Sequence, residues 1–251
     1  DAGTVTITER ILEVMEFQIN KTECKKTFQQ DWISAQMGYS MNNQVLPKSY
    51  SDFIVQQYIA KIAASMETMI WQGAAGANAF NGFTVDWAAN AASLAGGAVV
   101  TGTTVTAANV VEELGKVVNH VANNASALLD KEDLHIYVSN HIFQMYVRAL
   151  GGFGAAGLGA NGYDGKGNNQ DLGDALLFDG IKVFRAPGMP NNDMAATLKS
   201  NLFFGCGIEG DLSEIKLIDT GDTLGDQNVR FVSRFKAGIQ TGLLEEVVYY
   251  T

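Results

Sequence analysis

The sequence predicts an α+β protein, and three features of the chain support that prediction. Residues 49–73 are the longest uninterrupted stretch in which apolar residues recur at helical spacing. Residues 4–20 alternate apolar and polar side chains, which is the pattern of a strand. The chain after residue 73 is rich in glycine and is predicted to form sheet and loops with short helices. One long helix therefore organises a chain that otherwise consists of sheet, loops and short helices.

The composition bounds the class of protein. The chain has 251 residues, of which 47% are hydrophobic and 18% charged, as is typical of a folded protein of one or two domains. Its net charge is −10, and no basic patch is visible in the sequence. A free-standing nucleic-acid-binding protein normally shows such a patch, so the charge argues against that class.

The two cysteines and the chain ends give expectations about the compartment. Cys24 and Cys206 lie far apart in sequence, and we expect two free thiols in a reducing compartment. Residues 1–10 lack the features of a signal peptide, and no segment reaches about 18 uninterrupted apolar residues, so we expect no membrane span. The first residue is Asp1, which leaves open whether a maturation protease cut the chain or the chain is part of a longer protein.

The first 48 residues are predicted to contain one or two strands, because residues 4–20 alternate for most of their length. A short helix is predicted at residues 21–32, and a loop at residues 39–48 leads into the long helix. The apolar residues of the predicted strands are Val5, Ile7, Leu12, Val14, Phe17 and Ile19.

The long helix has signals at both ends. Ser49 or Ser51 can cap the first free N–H groups, and Asp52 suits the first turn because the helix dipole favours a negative charge there. Gly73 supplies the stop. We expect one face of this helix to pack on the C-terminal strands. That face carries Val55, Tyr58, Ile59, Ile62, Met66, Met69 and Ile70.

Shorter elements follow. Residues 106–122 are predicted to form a second amphipathic helix with Thr106 at its N-cap, and residues 140–150 a third. Asp179 and Gly180 are predicted to form a turn. The buried stripe of the second helix is Val110, Val111, Leu114, Val117, Val118 and Val121. The other predictions are loops at 73–82, 88–97 and 151–173, and strands at 82–85, 134–139, 181–187, 202–207, 215–218, 229–236 and 238–250.

Gly152, Gly154 and Gly157 match the G-x-G-x-x-G pattern of dinucleotide-binding loops. Such a loop lies between a strand and a helix, so that the pyrophosphate meets a helix N-terminus. Here a predicted helix precedes the glycines, and neither Asp174 nor Asp179 ends a strand. The pattern therefore favours an exposed flexible loop, and a nucleotide-dependent enzyme that uses this loop is the alternative.

Asp219, Thr220 and Gly221 form the triplet of aspartic proteases. Such enzymes need two aspartates that share a proton, and the chain supplies one triplet, so a homodimer would be required. Asp222 and Asp226 lie close by and favour a turn that connects two strands.

Candidate metal ligands fit no known spacing. An oxygen-rich cluster could ligate Ca²⁺, but it lacks the EF-hand pattern, so a polar turn is the better interpretation. The histidines are too few and too scattered relative to cysteine for a zinc site. We therefore predict no catalytic, cofactor-binding or metal-binding residue. The residues considered are Asp164, Asn168, Asn169 and Asp171 for calcium, and His120, His135 and His141 for zinc.

The order of the segments resembles that of a known family, the major capsid proteins of tailed bacteriophages with the Hong Kong 97 fold. It is most similar to those of phages that infect Bacteroidota, and the resemblance covers nearly the whole chain. The segments that carry it are ETMIWQG at 67–73, FNGF at 80–83, LHIYVSNHIFQMYVRAL at 134–150, DGIKVFRAPGMP at 179–190, NLFFGCGIEGDLSEIKLID at 201–219 and VRFVSRFKAGIQTG at 229–242.

The resemblance implies an organisation of the subunit. Residues 1–47 would form an N-terminal arm and extended loop, residues 48–103 and 200–251 a peripheral domain, and residues 104–199 an axial domain. The long helix would be the spine helix of the peripheral domain. A strand at residues 11–19 is hazardous if its edge stays unpaired, and we expect an adjacent subunit to supply its partner.

The resemblance also implies a function. The chain would be a structural protein, with no enzyme activity and no cofactor, whose hexamers and pentamers form an icosahedral head shell around double-stranded DNA. Further partners would be portal, scaffold and cement proteins. The protein would not associate with a membrane. The protein would be assembled in the host cytoplasm and reside in the virion. An encapsulin-type compartment shell of the same fold remains an open alternative.

Overall fold

The computed structural model describes residues 9–24, 50–76, 79–151, 176–207, 215–220, 225 and 228–251. The chain divides into two compact units. Unit 1 comprises Asp1–Leu12, Glu67–Phe204 and Ile239–Thr251, and unit 2 comprises Glu13–Met66 and Gly205–Gly238.

Helices and strands are mixed along the described chain. In chain order they are β1 (Met15–Cys24), α1 (Tyr50–Gln72), α2 (Phe83–Ala89), α3 (Val110–Asn124), β2 (Leu134–Val138), α4 (Asn140–Gly151), β3 (Leu176–Phe178), β4 (Ile181–Arg185), β5 (Met194–Leu198), β6 (Leu202–Cys206), β7 (Ile215–Asp219), β8 (Asn228–Thr241) and β9 (Val247–Tyr250). None of the helices in these described ranges is both long enough and apolar enough to cross a membrane.

The predicted long helix is confirmed as α1, with Asp52 in its first turn. In unit 2, Ile54 and Tyr58 are buried against Phe231, and Ile62 packs on the edge of this cluster. The predicted face is wrong at Ile59, which is 43% exposed. Residues 54, 58 and 62 are four apart and share one face, whereas residue 59 is turned about 100° away from residue 58.

The N-terminal strand begins and ends later in the chain than predicted. β1 runs from Met15 to Cys24, so the helix predicted at residues 21–32 is wrong at its first four positions, and residues 25–32 lie outside the described residues. Its partner is β8 of the same chain, antiparallel, with Met15 opposite Ala237 and Cys24 opposite Asn228. β8 therefore supplies a partner within the chain for one edge of β1, while β1 is the edge strand of the described sheet, and pairing of its other edge with an adjacent subunit stays a prediction. The hydrogen-bonded pairing of β1 with β8 along its whole length outweighs the weak local preference of residues 21–24 for a helix.

The segment predicted as a strand at residues 82–85 is the start of helix α2. Phe83 and Trp87 lie one helical turn apart, both are buried, and their rings stack with centroids 5.6 Å apart. The Thr84 hydroxyl donates a hydrogen bond to the Trp71 carbonyl at 2.7 Å. Residues 82–85 are too few to distinguish a strand from a helix by their pattern alone. The burial of both aromatic rings on one side of the segment stabilises the helix.

Helix α3 begins at Val110, after a turn in which the Val110 amide donates to the Thr106 carbonyl at 3.0 Å. The predicted cap at Thr106 is therefore wrong by one turn. The predicted stripe is confirmed at four fully buried positions, whereas Val111 is 50% exposed. The four buried positions are Val110, Leu114, Val117 and Val121.

Unit 1 contains a five-stranded sheet in the order β3-β4-β2-β5-β9, in which β2 and β4 are parallel and the other pairs antiparallel. Helices α3 and α4 pack on it to form the main core. The predicted turn between β3 and β4 is confirmed, because Asp179 and Gly180 both have positive φ, 47° and 81°. Sequence reasoning missed β3 and β5.

The boundary between the two C-terminal strands lies later in the chain than predicted. β8 runs without a break from Asn228 to Thr241, a 3-10 turn follows at Leu244–Glu246, and β9 joins the sheet of unit 1. β8 also pairs with β6 and β7. Gly238 does not interrupt the strand; a Cβ there would lie 2.2 Å from the carbonyl oxygen of Glu13, so glycine permits this close approach.

Candidate functional surfaces

The three histidines lie on different elements. His120 on α3 has Nε2 2.8 Å from the carbonyl oxygen of Ala95, and His135 in β2 has Nδ1 2.7 Å from that of Asp133. His141 lies in the first turn of α4. Across the described ranges, no group of three or more His, Cys, Asp and Glu side chains is placed to hold a metal ion.

The protease-like triplet begins a connection between antiparallel strands. β7 ends at Asp219, and the Thr220 hydroxyl donates a hydrogen bond to the Asn228 carbonyl, at the start of β8, at 2.7 Å. This placement agrees with the interpretation of the triplet as part of a turn. Residues 221–224 and 226–227 lie outside the described residues.

The glycine pattern at residues 152–157, the oxygen-rich residues 164–171 and Asp174 also lie outside the described residues. Helix α4 ends at Gly151, directly before the glycines. A helix therefore precedes the pattern, whereas a dinucleotide loop follows a strand.

Both cysteines are free thiols at the ends of strands. Cys24 is half-buried at the end of β1, and Cys206 is exposed at the end of β6. Neither belongs to a group of metal-ligating side chains in the part of the chain that the structure describes.

Sequence reasoning missed a buried carboxylate, Glu113, within the apolar stripe of α3. It accepts hydrogen bonds from the Lys116 ammonium at 2.8 Å, the Tyr250 hydroxyl at 2.7 Å and the Thr103 hydroxyl at 2.8 Å. Burial alone would raise the pKa of Glu113, but these hydrogen bonds outweigh it and leave that pKa below its ordinary value. The ionised side chain therefore joins α3 to the last strand.

A second buried carboxylate, Asp193, holds the other two C-terminal residues. It accepts hydrogen bonds from the hydroxyls of Tyr249 and Thr251. Burial raises the pKa of Asp193 despite these hydrogen bonds, and it raises the pKa of Tyr249 as well. Both carboxylates have structural partners, and their arrangement fixes the end of β9 to the body of unit 1.

A cleft of about 570 Å³ lies at β2 and β4 of unit 1. The His135 and Phe184 rings meet edge to face, with centroids 4.8 Å apart. The side chain and backbone of Ser200 hold the pKa of the Asp133 carboxyl low, and burial raises the pKa of Tyr137 to about 12. The Tyr137 hydroxyl is therefore protonated at neutral pH. The lining residues are Glu132, Asp133, His135, Tyr137, Lys182, Phe184 and Lys199.

The sheet of unit 2 carries an exposed basic surface that the linear sequence does not show as a cluster. Alternate residues of β8 point away from the buried Phe231, and the antiparallel register adds residues of β1 and β7 to the same side. The expectation that the chain has no basic patch is therefore wrong. We call this surface the basic face; it consists of Glu16, Gln18, Asn20, Thr22, Lys216, Ile218, Arg230, Val232, Arg234 and Lys236.

Comparisons with known proteins place the fold. No family model matches the sequence, and no curated protein matches it. A chain of the procapsid of satellite phage P4 aligns with a TM-score of 0.54 at 11% identity, over 95% of this chain and 75% of that chain. The capsid of the native GTA particle gives a TM-score of 0.54 at 10% identity, over 95% and 72% of the two chains.

A structure from Gordonia phage Cozz is similar as well, with a TM-score of 0.52 at 12% identity, over 100% of this chain and 77% of that chain. Identities this low carry the fold and not the activity. The chain is therefore a mixed helix-and-sheet protein with the fold of phage capsid chains.

Proposed function

We propose that this protein is the structural major capsid protein of a tailed phage, and that its copies assemble into the shell of the head. The observation that carries the proposal is the match of 95% of the chain to a chain of a phage procapsid, with a TM-score of 0.54. A fold alone does not give a function, so the surfaces of the subunit must also suit assembly.

Exposed apolar side chains in unit 1 support contacts between copies. Phe203 and Phe204 of β6 are 50% and 51% exposed, and Leu243 is 59% exposed. Phe203 and Leu243 lie close together, because the Asn201 side chain hydrogen-bonds the backbone of Leu243 and an atom of the Phe203 ring would lie 3.0 Å from a Cβ at Gly242. Phe204 follows Phe203 in the strand and points to the other side of the sheet. An exposed aromatic group of this kind is typical of protein–protein contacts.

Finer features belong to the same proposal. The shell would consist of hexamers and pentamers in an icosahedral head, with residues 104–199 as axial domain, 48–103 and 200–251 as peripheral domain and 1–47 as arm and extended loop. Portal, scaffold and cement proteins would be its partners, and it would enclose double-stranded DNA. Assembly in the cytoplasm of a Bacteroidota host and residence in the virion follow the same resemblance. The subunit itself would have no enzyme activity.

Electron microscopy and light scattering of the purified full chain test the proposal. We expect closed shells or capsomers of hexameric and pentameric size. A small closed oligomer that binds NAD or ATP saturably would contradict the proposal and favour a nucleotide-dependent enzyme. Shells that form in the native host around protein cargo instead of DNA would favour a compartment shell.

A substitution in the exposed aromatic group sharpens this test. Phe203→Asp places a charge where we expect an apolar contact with another copy, so shells should be lost while the subunit keeps its circular dichroism spectrum. Val111→Asp is the matched control, because Val111 is equally exposed but lies on α3. Normal shells from Phe203→Asp would remove this group from the assembly contacts.

A further inference from the structure

We propose that the basic face of unit 2 binds the phosphate backbone of double-stranded DNA. The inference rests on the proposed function, since the duplex is what a phage head encloses. It adds a surface and a chemistry: the sheet side opposite Ile54 and Tyr58 would be the part of the subunit that contacts the genome.

The alternation of β8 creates this face. Phe231 is fully buried against α1 and Ser233 is buried on the same side, so the intervening residues must point the other way. Arg230 and Arg234 are exposed there, and Lys236 is half-exposed. The register places Thr22 opposite Arg230 and Gln18 opposite Arg234 in β1, while β7 places Lys216 opposite Val232.

The charge of the face is opposite to that of the chain. The whole chain has 17 Lys and Arg against 27 Asp and Glu. The face has four basic residues against one acidic residue, Glu16. Within the described residues, Arg230, Arg234 and Lys236 form no ion pair; Arg230 Nε donates to the Thr22 hydroxyl at 3.3 Å. The basic members are Lys216, Arg230, Arg234 and Lys236.

The shape and spacing suit a polyanion. A groove of about 280 Å³ runs between the basic side chains and is lined by residues of β1, β7 and β8. Arg230 and Arg234 are four residues apart, which is about 13 Å along a strand and close to the axial rise of about four nucleotides in a duplex. One subunit can therefore contact several consecutive phosphates.

The neutral residues favour nucleic acid over a second protein. Gln18, Asn20 and Thr22 carry amide and hydroxyl groups of the kind that contact phosphates. The cores of protein–protein contacts are enriched in aromatic residues and depleted of lysine, whereas the ten residues that define this face include two lysines and no aromatic residue. Its two apolar members, Ile218 and Val232, lie beside the arginines.

The expected binding is weak for each subunit and independent of sequence. Each neutralised phosphate contributes about −0.9 to the slope of log affinity against log salt, so about four contacts give a slope of about −3 to −4. Such binding holds DNA when many subunits surround it, and it is lost readily as salt rises.

Fluorescence anisotropy of the full chain with a labelled DNA duplex of about 30 base pairs, from about 50 to 200 mM salt, tests the proposal. The variant is Arg230→Gln with Arg234→Gln, which should weaken binding at low salt about tenfold or more and reduce the salt slope by about two. The variant Arg230→Lys with Arg234→Lys keeps both charges and should keep the slope.

The matched control is Lys61→Gln with Arg148→Gln, an equal change of charge at two exposed positions elsewhere. It should leave affinity and slope near those of the unchanged protein. If it weakens binding as much as the double glutamine variant, or if the unchanged protein does not bind the duplex at about 50 mM salt, the proposal is wrong. Circular dichroism checks the fold, and Arg234→Gln alone, with a slope reduced by about one, replaces the double variant if that variant is unfolded.

Light scattering of the same samples separates the remaining outcomes. If the double glutamine variant binds the duplex normally but no longer assembles, the face is a contact between copies and the DNA proposal fails. If the unchanged protein forms no shells yet binds the duplex through Arg230 and Arg234, the proposed function fails while the basic face keeps its assignment.

Discussion

The two sheets of the molecule differ in how their side chains are buried. In unit 1, every residue of β5 is buried, and a large continuous core extends from α3 and α4 into the sheet. Among the described residues of unit 2, the cluster on α1 is small, with Ile54, Tyr58 and Phe231 buried together, and the opposite side of the sheet is the basic face. The described part of unit 2 therefore gains less from apolar burial, and we expect its strands to open locally at lower free energy than those of unit 1.

The difference also teaches where the two surfaces of interest can lie. In the sheet of unit 1, every residue of β5 and β9 is buried, whereas β3 and β4 alternate and expose Leu177 and Phe184, so the open surface of this sheet lies at β3 and β4. In the sheet of unit 2, one whole side is exposed, and the alternate residues on that side are free of packing constraints. That side can therefore form a continuous binding surface. Substitutions in each unit test whether the two differ in stability as the burial implies.

The largest effect is expected for Trp87→Ala in unit 1. Trp87 is fully buried, and its indole N–H donates to the Thr241 hydroxyl at 2.9 Å. Truncation should lower the free energy of unfolding by about 3–5 kcal/mol, measured by urea denaturation. The control Trp87→Phe keeps most of the ring and removes the hydrogen bond, so it should cost about 1–2 kcal/mol. Equal losses from both variants would show that packing of the indole is not the main contribution.

Ile54→Ala is the matching change in unit 2, and we expect a loss of about 2–3 kcal/mol, near the lower end for such truncations, because its half-exposed neighbours can collapse into the space. Amide hydrogen exchange should quicken in β8 at residues 229–233 and stay unchanged in β2. Ile59→Ala on the exposed side of the same helix should change stability by less than about 0.5 kcal/mol. Faster exchange in both sheets would mean that the two units unfold together.

The sequence predicted the elements that are specified by nearby residues, such as a helical pattern that repeats over several turns or a pair of turn residues. Periodicity found α1 and α3, and the Asp179–Gly180 pair found a turn that requires positive φ at both residues. It failed at α2 and at residues 21–24, where a short segment takes the structure that its distant partners stabilise: Trp71 and Tyr249 for α2, and β8 for β1.

The candidate surfaces were less visible than the elements. The alternation of residues in β8 predicted a strand. The charge of the exposed side of the sheet also depends on the neighbouring strands, and β1 is far from β8 in sequence. Glu113 could have been found, because a carboxylate inside the buried stripe of an amphipathic helix needs a partner. Its partner Tyr250 is 137 residues away, and nothing local identifies it.

Glu113 gives a pH-dependent test of unit 1. Its pKa is lower in the folded protein than the ordinary 4.5, so the unfolded chain takes up the proton first, and stability should fall as the pH drops below about 5. Glu113→Gln should lose about 1–2 kcal/mol at pH 7 and approach the unchanged protein at low pH, as measured by denaturation across pH. The exposed neighbour Glu112→Gln should keep the original pH profile. A constant difference at every pH would show that ionisation of Glu113 is not the cause.

The smallest effect, a gain, is expected for Gly115→Ala in α3. A Cβ at Gly115 meets nothing within 4 Å, and alanine loses less conformational freedom in a helix, so the free energy of unfolding should rise by about 0.5–1 kcal/mol. The same replacement at Gly180 should lower the free energy of unfolding by about as much, because φ there is +81°, a region that alanine disfavours.

Hydrogen exchange of Gly115→Ala then decides between two views of the molecule. Slower exchange in β2 with unchanged exchange in β8 supports separate opening of unit 2, whereas equal slowing in both sheets would show one cooperative unit and end the distinction drawn from their cores.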